Sequence, residues 1–321
     1  MRRYAVMLDT VDMRITAAEV RGVDFANEVT PRLDPGGVSF HDFDGVRVVR
    51  GTLDDLTVTA SPGVLKVGGG SLCKWMLGDN YQALTRADIR RAVERLSDAL
   101  HMPMRRAIVT RLDVGACIPM KQPPANYFNH LGELRHTQRL QQPGGIYYYQ
   151  ARRCGCLCFY DKNREQRAHG EPIPAIYDGC HVLRYEQRYL QRLPALLHVP
   201  KVTAALLSRE RFYICLLDRW RDTYHAIRKV NDITLNFQMM RSKQQLYKMG
   251  VAAIAERMGG ELAMLAHIDE AQRRGDLTRK QAYDLRQAVR DACSAGGGVT
   301  VPVEAVEELN KKIDEAIRYY R

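Results

Sequence analysis

Three hundred and twenty-one residues, 45% apolar and 26% charged, suit a folded chain of about two domains and argue against wholesale disorder. No apolar run reaches the roughly 18 residues of a membrane helix, and Asp9 interrupts the short apolar stretch behind Met1-Arg2-Arg3. The expectation is a cytoplasmic protein with no signal peptide and no membrane partner. The net charge is +11, yet the first 60 residues hold seven Lys+Arg against ten Asp+Glu, so the excess lies further on. Such a surplus suits nucleic acid, although a basic balance that merely aids solubility stays open.

In chain order, short extended pieces come first: 4–8 with 11–15, Val46–Val49 and Leu56–Thr59, punctuated by Gly, Asp and Pro. Gly68-Gly69-Gly70 lacks the Gly-Lys-Ser/Thr ending of a phosphate-binding loop and reads as a turn or a close approach to DNA. Thr85 with Asp88 three residues on predicts a capped helix carrying the apolar stripe Ile89, Val93, Leu96 and Leu100. Strands are predicted over Ala107–Val114, Ile146–Gln150, Cys154–Tyr160 and Val182–Tyr189, with 120–144 polar and irregular. The intervening Ala151-Arg152-Arg153 has hairpin-turn length but not the Asn-Gly type of turn sequence. Alternating Cys154, Cys156 and Cys158 read as packed thiols, since the spacing is not that of a zinc site.

Helices follow over 202–230, 242–258, 261–274 and 278–292, with a hinge at Gly296-Gly297-Gly298 and a last helix through Val306, Leu309, Ile313, Ile317 and Tyr320. Residues 276–292 have a helix-turn-helix outline, for which packing through Leu285, Ala288 and Val289 is an equal alternative. The fold class is α+β: a mostly antiparallel sheet with flanking helices over 1–200, then a helical C-terminal region over 201–321.

Three strands carry chemistry. Arg111-x-Asp113 and Arg184-x-Glu186 each put a cation and a carboxylate on one strand face, and the third strand ends in Tyr160-Asp161-Lys162. Brought together, they would offer carboxylates for Mg²⁺ or Mn²⁺, guanidiniums for phosphate and a hydroxyl for attack. On spacing alone they are equally cross-strand ion pairs. Tyr147-Tyr148-Tyr149 offers a second hydroxyl, a base-stacking platform, or strand-filling aromatics. His181-x-x-Arg184 matches a tyrosine-recombinase pattern, but its tyrosine would lie on the wrong side in sequence.

Five pieces in order resemble the gene II/X replication initiators of filamentous phages and related plasmids. They are Asp9–Ile15; Ala60-Ser61-Pro62 through Ser71–Trp75 to Gly78-Asp79-Asn80; Val109–Asp113; Phe159–Lys162 with Glu165; and Leu183–Glu186. The resemblance implies a replication-initiator nuclease core. Its activity would be rolling-circle initiation by nicking and rejoining one DNA strand through a 5′-phosphotyrosine intermediate. It implies Tyr160 as nucleophile. Lys162, Arg111 and Arg184 would be the supporting cations, and Asp113, Glu186 and, less firmly, Glu165 would be ligands for Mg²⁺ or Mn²⁺. Lys74, Arg152, Arg153 and Arg188 are expected DNA contacts, in a basic zone with Arg192, Arg219, Arg221 and Lys229. Implied partners are single-stranded or supercoiled origin DNA, a host helicase and a polymerase. A DNA-binding regulator of the same fold that does not cut is the alternative.

Overall fold

The structure, a computed structural model, describes residues 4–230, 232–233, 242–294, 300–301 and 304–318. The proposed Gly296-Gly297-Gly298 hinge and Tyr320 lie outside them. Ten strands form one antiparallel sheet: β1 (Met7–Thr16), β2 (Ser39–Phe43), β3 (Val46–Leu53), β4 (Leu56–Ser61), β5 (Val64–Gly68), β6 (Ile108–Met120), β7 (Thr137–Gln142), β8 (Gly145–Gln150), β9 (Gly155–Asp161) and β10 (His181–Tyr189). Their spatial order is β2-β3-β4-β5-β1-β6-β10-β9-β8-β7. Two meanders thus meet at β1, β6 and β10, the most enclosed strands. The helices are α1 (Phe25–Val29), α2 (Leu72–Leu77), α3 (Arg86–Leu100), α4 (Pro124–Phe128), α5 (Lys162–Ala168), α6 (Leu193–Leu196), α7 (Ala204–Leu207), α8 (Glu210–Ala226), α9 (Lys243–Met258), α10 (Glu261–Arg274), α11 (Arg279–Ser294) and α12 (Glu304–Arg318). None is long and apolar enough to cross a membrane.

Local signals explain most of these elements. Thr85 and Asp88 close a reciprocal capping box on α3, and Ile89, Val93, Leu96 and Leu100 are all buried. The glycine run serves the turn after β5. A side chain at Gly68 would collide with Asp12 and one at Gly70 with the Asp55 carbonyl, so the chain there needs glycine for packing within the protein. The polar stretch 120–144 does hold an ordered strand, β7, whose exposed edge position explains its lack of an apolar pattern.

One sheet face is aromatic. The Phe159 and Tyr185 rings stack at 4.3 Å, Tyr185 stacks on Trp220 of α8 at 4.6 Å, and the Tyr185 hydroxyl donates to the Trp220 carbonyl at 3.0 Å. This packing corrects the expected division at residue 200. Of the described residues, 4–125, 136–226 and 311–318 form one compact unit, and 126–135 with those described between 227 and 310 form the second. α8 belongs with the sheet because it buries Phe212, Tyr213, Leu216, Leu217 and Trp220. The predicted single helix over 202–230 is α7 and α8, separated at Ser208-Arg209. The end of α12 also joins the first unit, through a Lys312 bond to the Pro119 carbonyl and a His225–Asp314 pair at 2.9 Å.

In the second unit α9, α10 and α11 pack together, with Arg286 of α11 donating to Asp269 of α10 at 2.7 Å. The buried stripe of α11 is Ala282, Val289 and Ala292. Leu285 and Ala288 are exposed, so the expected packing through those two does not occur.

Candidate active site

The sheet register assembles the site. Along β10, Arg184 lies between Cys117 of β6 and Tyr160 of β9, Glu186 between Gly115 and Cys158, and Arg188 between Asp113 and Cys156. Directly opposed residues of antiparallel strands share a face. Tyr160, Arg184, Glu186, Arg188, Asp113 and Arg111 therefore converge on the face opposite the Phe159–Tyr185–Trp220 stack.

Their contacts are specific. The Tyr160 hydroxyl donates to Glu186 Oε1 at 2.9 Å. Arg184 Nε donates to the same oxygen at 2.8 Å, and Arg184 Nη2 donates to Asp9 Oδ2 at 2.6 Å. The third nitrogen, Nη1, reaches the Asn80 carbonyl and Cys117 Sγ, both at 3.2 Å. Arg188 binds Glu186 Oε2 through Nε at 2.8 Å and Nη2 at 2.6 Å, and its Nε lies 3.8 Å from Asp113 Oδ2. Arg111 grips Asp113 with both ends of its fork, at 3.1 and 2.7 Å.

Exposure separates the three arginines. Arg184 is 0% exposed and tied on every side, whereas the Arg111 and Arg188 side chains retain 31% and 30% exposure. Arg184 is enclosed among the carboxylates it binds, whereas Arg111 and Arg188 reach the surface.

The electrostatics follow. Burial alone would raise Glu186, but the charges of Arg184 and Arg188 overcome it and hold the carboxyl at about 2. For Asp113 burial wins: with Glu186 adding repulsion against the Arg111 hydrogen bond, its pKa rises to about 6. Tyr160 is half-buried as a residue, yet desolvation of its hydroxyl and then the Glu186 charge push the phenol well above its ordinary 10. The cation that opposes this rise most directly is Arg184. Lys162 and Arg111, expected to favour the phenolate, are turned elsewhere. Buried Lys162 pairs with Glu165 at 2.7 Å, and Arg111 pairs with Asp113.

The expected ligands do not fit a divalent-cation cage. Every oxygen of Asp113 and Glu186 accepts a guanidinium or phenol hydrogen, and Glu165 sits on α5 with Lys162 and His169. No three His, Cys, Asp or Glu side chains gather as metal ligands among the described residues.

Of the expected DNA contacts, Lys74 is committed to Glu171 at 2.6 Å, and Arg188 belongs to the cluster. Arg152 and Arg153 are exposed at the β8–β9 turn. Arg219 donates to the Leu196 carbonyl, Arg221 pairs with Asp222, and Lys229 donates to the Ile227 carbonyl.

Two residues of the site take no role from the sequence. Asp9, which receives Arg184 and a short bond from the Ser71 hydroxyl, opens the first of the five resembling pieces but stands there as a charge inside an apolar strand. Gly115 shows only as a glycine inside a strand. A Cβ there would lie 2.8 Å from Glu186 Cγ and from the Tyr185 carbonyl, so its absence makes room for the Glu186 side chain.

Comparison with known proteins follows this geometry. No curated protein matches the chain. A solved rolling-circle replication initiator protein from Geobacillus stearothermophilus is similar over 67% of this chain and 84% of its own, at 12% identity and a TM-score of 0.38. The family model for the N-terminal region of the phage replication-associated protein of gene II type matches residues 7–205, from the first residue of β1 to α7 and through every strand of the ten-stranded sheet. With more than half its length so matched, the chain belongs to the gene II family of phage replication-associated proteins.

Proposed function

We propose that the protein initiates rolling-circle replication by nicking one strand of origin DNA and later rejoining it. The observation that carries this reading is the Tyr160 hydroxyl at 2.9 Å from a carboxylate that two arginines also bind. In the resting arrangement the phenolic proton stays on Tyr160, because a carboxylate held at about 2 is too weak a base to remove it. An incoming phosphodiester changes that balance. Its anionic oxygens draw Arg188 and Arg111 toward them, and loss of Arg188 raises the proton affinity of Glu186 as the phenol attacks.

The Tyr160 oxygen then bonds to phosphorus, its proton passes to Glu186, and the P–O3′ bond breaks. The products are a free 3′ hydroxyl, protonated from solvent, and a 5′ phosphate esterified to Tyr160. The link retains a phosphate ester, so the reverse attack by a 3′ hydroxyl reseals the strand without a nucleotide cofactor. Arg184 is a positioning residue, since its contacts are all within the protein. Origin DNA is the direct partner; a host helicase and polymerase complete the proposed cytoplasmic reaction.

A non-catalytic DNA-binding regulator is the second reading. It draws support from the same high phenol pKa and the carboxylates already neutralised by arginine. Supercoiled plasmid carrying the cognate origin distinguishes the two. Nicking should leave protein covalently on the 5′ end, visible on a denaturing gel, and Tyr160→Phe should abolish both nick and adduct. Undiminished nicking by that variant rejects Tyr160 as nucleophile; salt-sensitive binding without any adduct favours the regulator.

A further inference from the structure

We propose that β7, β8 and the β8–β9 turn form a sequence-tolerant track for single-stranded DNA leading to Tyr160, with a base stacked on Tyr149 and phosphates held by Arg152 and Arg153. This rests on the reading that the chain handles single-stranded DNA. The register supplies the first observation. Gly145 faces Tyr160, Tyr147 faces Cys158 and Tyr149 faces Cys156, so both tyrosines lie on the site face while Tyr148 between them is buried in the core. The Tyr147 and Tyr149 rings lie 6.2 Å apart at an interplanar angle of 16°, half-buried and almost parallel. Parallel, part-exposed aromatic faces are what bases of any sequence stack upon.

Second, Tyr149 opens into a groove of about 830 Å³, lined by His136, Gln138, Leu140, Arg152 and Arg153 among others. Its volume is that of a site for a small organic group. Leu140 is 41% exposed there, an apolar side chain on a polar edge strand, opposite Tyr147.

Third, the turn is strained in favour of arginine. Arg152 and Arg153 have φ of 56° and 51°, consecutive left-handed residues that Asn-Gly ordinarily supplies in tight hairpins. Glycine would fit these angles better, and both arginines are exposed, so neither side chain is kept for packing. Exposed positive charge retained at a conformational cost fits phosphate contact.

Distances suit one continuous strand. At about 3.3 Å per residue, Cys156 and its partner Tyr149 lie about 13 Å along β9 from Tyr160, with Arg153 about 23 Å away. That length accommodates about seven stacked nucleotides, and fewer when the strand is stretched. Gly145 keeps the track open beside Tyr160, because a Cβ there would lie 3.2 Å from the Tyr160 Cβ.

The test uses the full-length protein and two labelled probes of equal length, oligothymidylate and the same phosphodiester chain without bases. Oligothymidylate should bind about tenfold more tightly, the worth of one base–aromatic stack. Tyr149→Ala should remove that difference and Tyr149→Phe should keep it. Joint Arg152→Gly and Arg153→Gly should lower affinity for both probes, reduce the salt slope by about 1.4, and leave thermal stability unchanged or raised. Equal binding of the two probes by the parent protein, or undiminished preference in Tyr149→Ala, overturns the proposal. Binding of neither probe overturns it together with the DNA reading. Tyr149-dependent binding without nicking supports the track and faults only the catalytic assignment.

Discussion

Replacing Arg184 with methionine keeps most of the side-chain volume and deletes the fully enclosed guanidinium of the site. Asp9 and Glu186, both buried, then lose their shared partner. For Glu186 the depression from 4.5 to about 2 corresponds to about 3 kcal/mol, since each pK unit is worth about 1.36 kcal/mol. Arg188 still binds the far oxygen of Glu186, so part of that stabilisation survives, whereas Asp9 keeps only the Ser71 hydroxyl. Breaking a buried pair generally costs about 3–5 kcal/mol, and the loss at pH 7 should fall in that range.

The pH dependence is the sharper readout. In the parent protein Glu186 has a lowered pKa, so its stabilisation is complete above 4.5 and is lost only as pH falls toward about 2. In Arg184→Met the Glu186 carboxylate, without the largest of the charges that lower it, takes up its proton in the folded state at a higher pH. The deficit should therefore shrink by more than about 1 kcal/mol between pH 7 and pH 5. Urea unfolding followed by tryptophan fluorescence measures this cleanly, because both tryptophans, Trp75 and Trp220, lie in the sheet-bearing unit. A deficit under about 1 kcal/mol, or one that is flat across that range, would refute the assignment of Arg184 as the electrostatic keystone.

Other outcomes follow from the same contacts. Arg111→Gln removes the hydrogen bond that opposes burial at Asp113, so the Asp113 midpoint should rise above about 6; carbon-13 carboxyl NMR measures it directly. Because this pKa is raised, Asp113 lowers stability as pH climbs from about 4 through 6, and the variant should extend that decline to higher pH. Gly115→Ala places a methyl group 2.8 Å from Glu186 Cγ and a backbone carbonyl, which should cost about 1–3 kcal/mol in thermal unfolding and reduce nicking more than stability. Thr85→Ala opens the capping box of α3 and should cost about 1 kcal/mol, with nicking unchanged at a temperature where the fold persists.

Elements with a local signature were legible in the primary structure. The α3 cap and helices α9 to α11 depend on contacts among residues close in the chain, which period and capping residues record, while β6, β9 and β10 show as apolar extended runs whose partners the sequence does not name. Short, exposed β2 and β7 were missed because edge strands carry no apolar alternation. The site was legible as a set of residue types: Arg111 with Asp113, Tyr160, and Arg184 with Glu186, each with the alternation that puts a pair on one strand face.

Which group faces which was beyond any one-dimensional pattern. Contacts between residues 24 to 175 apart make Arg184, rather than Lys162, the cation beside Tyr160, and bring Asp9 into the cluster. The same pairing fills the carboxylates with guanidinium hydrogens, which no spacing of acids could foretell. Burial completes the division: identical carboxyl chemistry yields about 6 at Asp113, where desolvation outweighs Arg111 and Arg188, and about 2 at Glu186, where the charges of Arg184 and Arg188 outweigh it. Residue identity set the available chemistry here, and strand register, with the desolvation it imposes, decided how that chemistry is tuned.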